Sequence, residues 1–183
     1  MKNLLKKGMA FLALAALVAL VPAVKLMADD EKAAMPAPKM PAEFDKLKSL
    51  VGTWKGTAMK NGKSMDVKNS FQLTSGGSAI IEKVGEGADN EMISVYCAEN
   101  GKVTMTHYCS VGNHPKMTLK KSSDKEMDFE MKGTDGISSA KDMHMHGMDI
   151  TWKDPDHITE SWYLYSDGKK QGSCPFELTR VKE

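Results

Sequence analysis

From Gly52 to the end of the chain, turn signals recur at intervals of roughly 8–15 residues, and that spacing leaves room only for short strands. Asn61-Gly62 and Asn100-Gly101 are the sharpest of them. Both central positions of a two-residue hairpin need positive φ, which Asn and Gly adopt at low cost. Further breaks fall at Ser75-Gly76-Gly77, Gly85 to Asn90, Gly112 to Pro115, Ser122 to Asp124, Gly133 to Gly136, Asp154-Pro155 and Asp167-Gly168. They delimit segments 52–60, 63–74, 78–84, 91–99, 102–110, 116–121, 125–132, 142–152, 157–165 and 171–181, where apolar residues tend to alternate with polar ones. The expected fold is all-β: an antiparallel up-and-down barrel of about ten strands, since a meander removes its edges by closing. The turn Asn100-Gly101 also predicts a register in which Glu99 faces Lys102, Cys97 faces Thr104 and Met92 faces Cys109. Cys109 then shares a face with Met105 and His107, and Cys97 lies on the other face.

The first 51 residues obey different rules. Lys2, Lys6 and Lys7 precede an unbroken apolar run from Phe11 to Val21, and small residues follow, with cleavage expected after Ala23 or Ala28. Residues 1–28 therefore read as a secretory signal peptide. The apolar stretch from Gly8 to Val24 is at the short limit for a spanning helix, and nothing later is apolar enough to cross a bilayer. Residues 29–42 mix Pro, Ala and charge, as a flexible linker does. Phe44, Leu47 and Leu50 sit at helical spacing and predict one short helix over 43–50 before the barrel; the domain as a whole is taken as 43–183.

Charge narrows the partners. The full chain has 25 basic and 24 acidic residues, a net charge of +1. Loss of residues 1–28, with four lysines and no acid, would leave a net charge of −3. No clustered basic face is in view, so no nucleic-acid partner is expected. The expected location is outside the cytoplasm, periplasmic or extracellular, with no membrane contact after cleavage. Export permits a disulfide, but Cys97, Cys109 and Cys174 are an odd number. A Cys97–Cys109 bridge would need a bulge; Cys109–Cys174 is the freer pairing.

Arg180 is the sole arginine among those 25 basic residues and falls in the last strand segment. Gly52-Thr53-Trp54 opens the first. A planar guanidinium can stack on an indole while donating hydrogen bonds, which an ammonium does less well. In a closed barrel the first and last strands are neighbours, so Arg180 is expected to cover Trp54. This pattern resembles the calycin group of lipocalins and related barrels, in which a Gly-x-Trp opens strand one and an arginine of the last strand packs across it. Ten strands look closer to fatty-acid-binding or nitrobindin-type barrels than to eight-stranded lipocalins. Thr106-His107-Tyr108-Cys109 with Gly112-Asn113, His144-Met145-His146, and Asp154 to Ile158 also resemble a group of uncharacterised secreted bacterial proteins with a calycin-like domain. The resemblance implies a cavity; one arginine cannot build the carboxylate clamp of the fatty-acid carriers.

The favoured function is non-catalytic binding of a small apolar molecule in that cavity, with Tyr96, Met105, His107, His144 and His146 as lining. The alternative is a metal or haem binder. Extended alternation would put His144, His146 and Met148 on one face and Met143 and Met145 on the other. His107 and Cys109 would complete a site for zinc or copper with His144 and His146. Haem is implied by the nitrobindin likeness, with His107, His144, His146 or His157 as ligand. A third reading is a solidly packed barrel acting as an interaction module. Asp154-Pro155-Asp156-His157 lacks the glycine and closing glutamate of a calcium loop and reads as a turn. Trp152, Trp162, Tyr163 and Tyr165 read chiefly as core packing. No nucleophile elbow, phosphate loop or dinucleotide fingerprint occurs, so no catalytic residue is assigned.

Overall fold

A computed structural model describes residues 39–60 and 62–182. The expected signal peptide and residues 29–38 of the linker lie outside the described residues. Helix α1 spans Ala42–Lys48. Ten strands follow: β1 Gly52–Lys60, β2 Lys63–Thr74, β3 Ala79–Val84, β4 Met92–Glu99, β5 Lys102–Tyr108, β6 Lys116–Ser122, β7 Glu126–Met131, β8 His144–Asp154, β9 His157–Ser166 and β10 Lys169–Arg180. They form one closed antiparallel barrel in which each strand pairs with its neighbours in sequence and β10 returns to β1.

The hairpins set the register. Across Asn100-Gly101, with φ of 51° and 76°, Glu99 pairs with Lys102 and Cys97 with Thr104. Strand β5 stops at Tyr108, earlier than the pattern suggests. There Cys109 N donates to Asn113 O, and Gly112 N donates to Cys109 O, turning the chain out of the ladder.

Helix α1 plugs one end of the barrel. Phe44, Leu47 and Leu50 are fully buried there with Trp54. Each such side chain contributes roughly 1.5–3 kcal/mol on leaving water. Trp54 Nε1 donates to Leu50 O at 2.7 Å, which fixes the indole. Arg180 is the register partner of Trp54, and its guanidinium carbon lies 4.2 Å from the indole ring centre. Its nitrogens donate to Val51 O at 2.9 Å and Ser49 O at 2.5 Å, so one side chain ties helix, first strand and last strand. Gly52 has φ of 127°, and a Cβ there would sit 3.3 Å from Arg180 Nη1. Both the backbone conformation and the approach of the arginine favour glycine at this position.

Above the plug the interior is packed with methionine. Met105, Met117, Met127 and Met148 are fully buried around Phe129 and Ile150. Unbranched thioethers fill an irregular barrel interior readily, which accounts for part of the high methionine content. Tyr96 meets Phe129 edge-on, with ring centres 5.7 Å apart.

Strand β8 departs from simple alternation. Its pairing with β9 slips between Met145 and Gly147, leaving His146 as the extra residue of a bulge. Met145 pairs with Leu164, and Met148 with Trp162, so both share the face of those β9 residues. His144 and His146 remain together, with Nε2 of the first 3.1 Å from Nδ1 of the second. The expectation that Met148 shares their face is therefore corrected by the bulge, while Met145, paired with Leu164 beside the His144–Tyr165 pair, lies opposite His144 as expected. The Cys109–Cys174 bridge is also not formed: Cys109 is a free thiol, its Sγ 3.9 Å from Met92 Sδ.

Candidate functional site: a cavity at the open end of the barrel

The end opposite α1 is open. Five connections surround it, and a cavity of about 520 Å³ lies among them. That is within the usual range for a small-molecule site. Its walls are largely apolar, with Ala58, Val67, Val84, Leu164 and Phe176 inside. Its rim carries Met59, Met65, Met92, Met143 and Met145, with Cys109 and Cys174. Cys174 Sγ lies 3.0 Å from Met59 O.

Two polar side chains, His107 and Trp162, lie deep in this wall. Both are essentially without solvent exposure, and their rings lie 4.4 Å apart, tilted by 43°. His107 Nδ1 is 3.1 Å from Ser94 Oγ, its partner residue on β4. His107 Nε2 and Trp162 Nε1 are buried with no hydrogen-bond partner. Burial holds the imidazole down to a pKa of about 4, so the ring is neutral at physiological pH.

One strand repeat beneath the walls is a polar layer that sequence reasoning did not find. Asn69, Glu82 and Glu160 each lie two positions from a cavity residue: Val67, Val84 and Trp162 respectively. All three are completely buried. Asn69 Nδ2 donates to Glu160 Oε2 at 3.0 Å and to Glu82 Oε1 at 3.4 Å. Asn69 Oδ1 accepts from Gly85 N at 3.0 Å. Tyr96 OH donates to Glu82 Oε2 at 2.7 Å. Glu160 Oε1 has no partner. Burial pushes the Glu82 carboxyl up to about 7. Burial, and then the charge of Glu82, push Glu160 well above the carboxylate range. The pair therefore holds at least one proton near neutrality.

The sequence-predicted residues divide as follows. His107 and His144 line the cavity. Tyr96 and Met105 are fully buried below it in the core. His146 stacks on Tyr165 at 4.1 Å between ring centres, and burial, then His144, lower its pKa. Among the described residues no three His, Cys, Asp or Glu side chains form a group able to hold a metal, so His107, Cys109, His144 and His146 do not make the four-ligand site described above. His157 is exposed at the start of β9 and pairs with Asp154 at 2.8 Å, at the plugged end. The β8–β9 turn is closed by Asp156 N donating to Asp154 Oδ1. Of the four aromatics near that hairpin, Trp162 belongs to the cavity and Trp152 packs against the core.

Several solved structures are similar to this chain. Rv2717c from M. tuberculosis is 15% identical with a TM-score of 0.51, over 79% of this chain and 100% of that one. A protein of unknown function from the DUF3598 family, from Nostoc punctiforme, is 12% identical with a TM-score of 0.41, over 74% of this chain and 48% of that one. No family model matches the sequence, and no curated protein is similar to it. The likeness to Rv2717c speaks for the barrel alone.

Chemically, the site can exclude water, bury an apolar body and satisfy a small number of polar atoms at its base. The signal for the hidden layer was available: an acid or amide with apolar residues at both i−2 and i+2. Ile80-x-Glu82-x-Val84, Ile158-x-Glu160-x-Trp162 and Val67-x-Asn69-x-Phe71 all have that form.

Proposed function

We propose that this protein is a non-catalytic carrier or sensor that binds a small, largely apolar molecule in the open end of the barrel. The observation that carries this reading is the cavity of about 520 Å³ with apolar walls, above buried polar atoms that lack partners. A barrel filled only for stability would close both ends with side chains, as it does at α1. The Trp54–Arg180 stack beside Gly52 supports placing the chain with the calycin-type binders. The N-terminal pattern of Lys2 to Ala28 supports an exported location, where a carrier meets its ligand outside the cytoplasm.

The test is binding of the environment-sensitive dye 1-anilinonaphthalene-8-sulfonate and its uncharged relative N-phenyl-1-naphthylamine. The uncharged dye is expected to bind one per chain and brighten. Leu164→Trp, which fills the cavity, is expected to weaken it about tenfold or more. Equal binding by wild type and variant would overturn the assignment, as would no binding at all.

A second reading rests on His107 Nε2. An unpartnered, neutral imidazole nitrogen in an apolar cavity fits a single axial ligand for haem. Added haem should then give a Soret band that His107→Ala abolishes; an unshifted free-haem spectrum would remove this reading.

A further inference from the structure

We propose that the ligand is an apolar amine, with its ammonium group seated against the Glu82–Glu160 pair and its apolar body in the cavity above. This rests on the cavity-binding reading and specifies the chemical class. The argument begins with charge. Two carboxyl groups are wholly buried inside the barrel, and among the described residues no lysine or arginine is buried with them. His107 is the nearest basic group in kind, and burial keeps it neutral. A carboxyl pair with no internal cation is costly, and apolar replacements of similar volume would serve stability better. The pair is complementary to a cation brought from outside.

Position supports the same conclusion. The pair lies one strand repeat, about 6.6 Å along the ladder, beneath cavity residues Val84 and Trp162. His107 Nε2 is buried without a partner, whereas Glu160, in contact with Trp162 and Glu82, shares its proton within the pair. With its proton on Nδ1, directed at Ser94 Oγ, His107 presents the Nε2 lone pair. A primary ammonium carries three donors and can serve a carboxylate and a second acceptor at once. A carboxylate head would be repelled by the pair, and a hydroxyl would leave its charge uncompensated.

The groups that act on the pair come from several strands: Tyr96 and Ser94 on β4 and Trp162 on β9, with Asn69 on β2 as the neutral bridge. Glu82 is half-ionised near pH 7. An ammonium stabilises its ionised form, so binding releases a proton below that pH and affinity falls as the solution is acidified.

The experiment titrates the full chain with 1-naphthylmethylamine, 1-naphthalenemethanol and 1-naphthoic acid, which differ in the head alone. The amine is expected to bind about tenfold or more tightly than either other probe at pH 8, and to lose about tenfold by pH 5. Glu82→Gln and Glu160→Gln are expected to abolish the amine preference over the alcohol and its pH dependence. If the Gln variants do not fold, the wild-type comparison across pH decides. Alcohol binding equal to amine binding, or a preference that survives both substitutions, would overturn the amine assignment and leave the cavity reading standing. Binding of none of the three would overturn both.

Discussion

Arg180 makes one stack and two good backbone hydrogen bonds from a single planar group, and each contact needs that shape. Arg180→Lys keeps the charge but cannot hold Val51 O, Ser49 O and the Trp54 face together. The expected cost is about 2–3 kcal/mol in urea unfolding, from two lost hydrogen bonds to a charged group and the lost stack. Lys182→Arg, at a largely exposed position, should change stability by no more than about 0.5 kcal/mol. A loss of similar size at both positions would show that charge, not geometry, is what Arg180 supplies. Arg180 was legible in the sequence because its residue type was unique. Glu82 and Glu160 were less legible, because acids are common in this chain and only the apolar residues at i−2 and i+2 mark these two as turning inward. Histidines drew attention by rarity, yet the polar centre of the barrel is built mainly from ordinary glutamates, an asparagine and a tyrosine.

Strands and helix were readable nearly to the residue because their limits are set by local chemistry. The β4–β5 and β9–β10 hairpins close on Asn100-Gly101 and Asp167-Gly168, and each observed strand begins or ends beside a turn signal. The bulge in β8 was not readable from alternation alone, since one unpaired residue reverses the face of everything beyond it. Gly147 next to His146 was the available hint. Helix α1 was located by Phe44, Leu47 and Leu50, and its position gives it a definite task. It closes the end of the barrel away from the cavity, so its contribution should be to stability and not to binding. Leu47→Ala is expected to cost about 2–4 kcal/mol by transfer and cavity terms. The affinity of N-phenyl-1-naphthylamine should stay within about twofold of wild type, since no α1 residue lines the cavity. A large fall in dye affinity in a folded Leu47→Ala protein would mean that α1 gates the cavity across the barrel.

At the scale of the whole molecule, a closed wall lets the barrel hold polar groups inside without an exposed strand edge, and the cost of doing so should be visible in its pH dependence. Glu82 has its folded pKa raised to about 7, from 4.5 in the unfolded chain. The folded state then binds more protons than the unfolded state, so stability is greatest below pH 4.5 for this group and is lost as pH rises through about 7. Glu160, raised further, extends the loss to higher pH. His107 has the opposite sign: its folded pKa is lowered to about 4 from 6.5, so its contribution is lost as pH falls through that interval. The two slopes oppose each other between about pH 4.5 and 6.5, and only the glutamates act above it. Ion-paired surface carboxylates such as Glu86 and Glu177 have lowered values and act below the ordinary carboxylate range. The wild-type protein is therefore expected to show a broad stability plateau near pH 5–6 and a decline between pH 6 and 9. Glu82→Gln removes one titrating group and the charge that raises Glu160, while Tyr96 OH can still donate to the amide oxygen. Its stability at pH 8 should exceed wild type by an amount on the order of 3 kcal/mol, and the two proteins should converge near pH 5. Urea midpoints measured across pH 5–9 decide this. Parallel profiles for the two proteins would mean that the buried pair does not titrate with folding, and that its proton is held by something other than the desolvation described above.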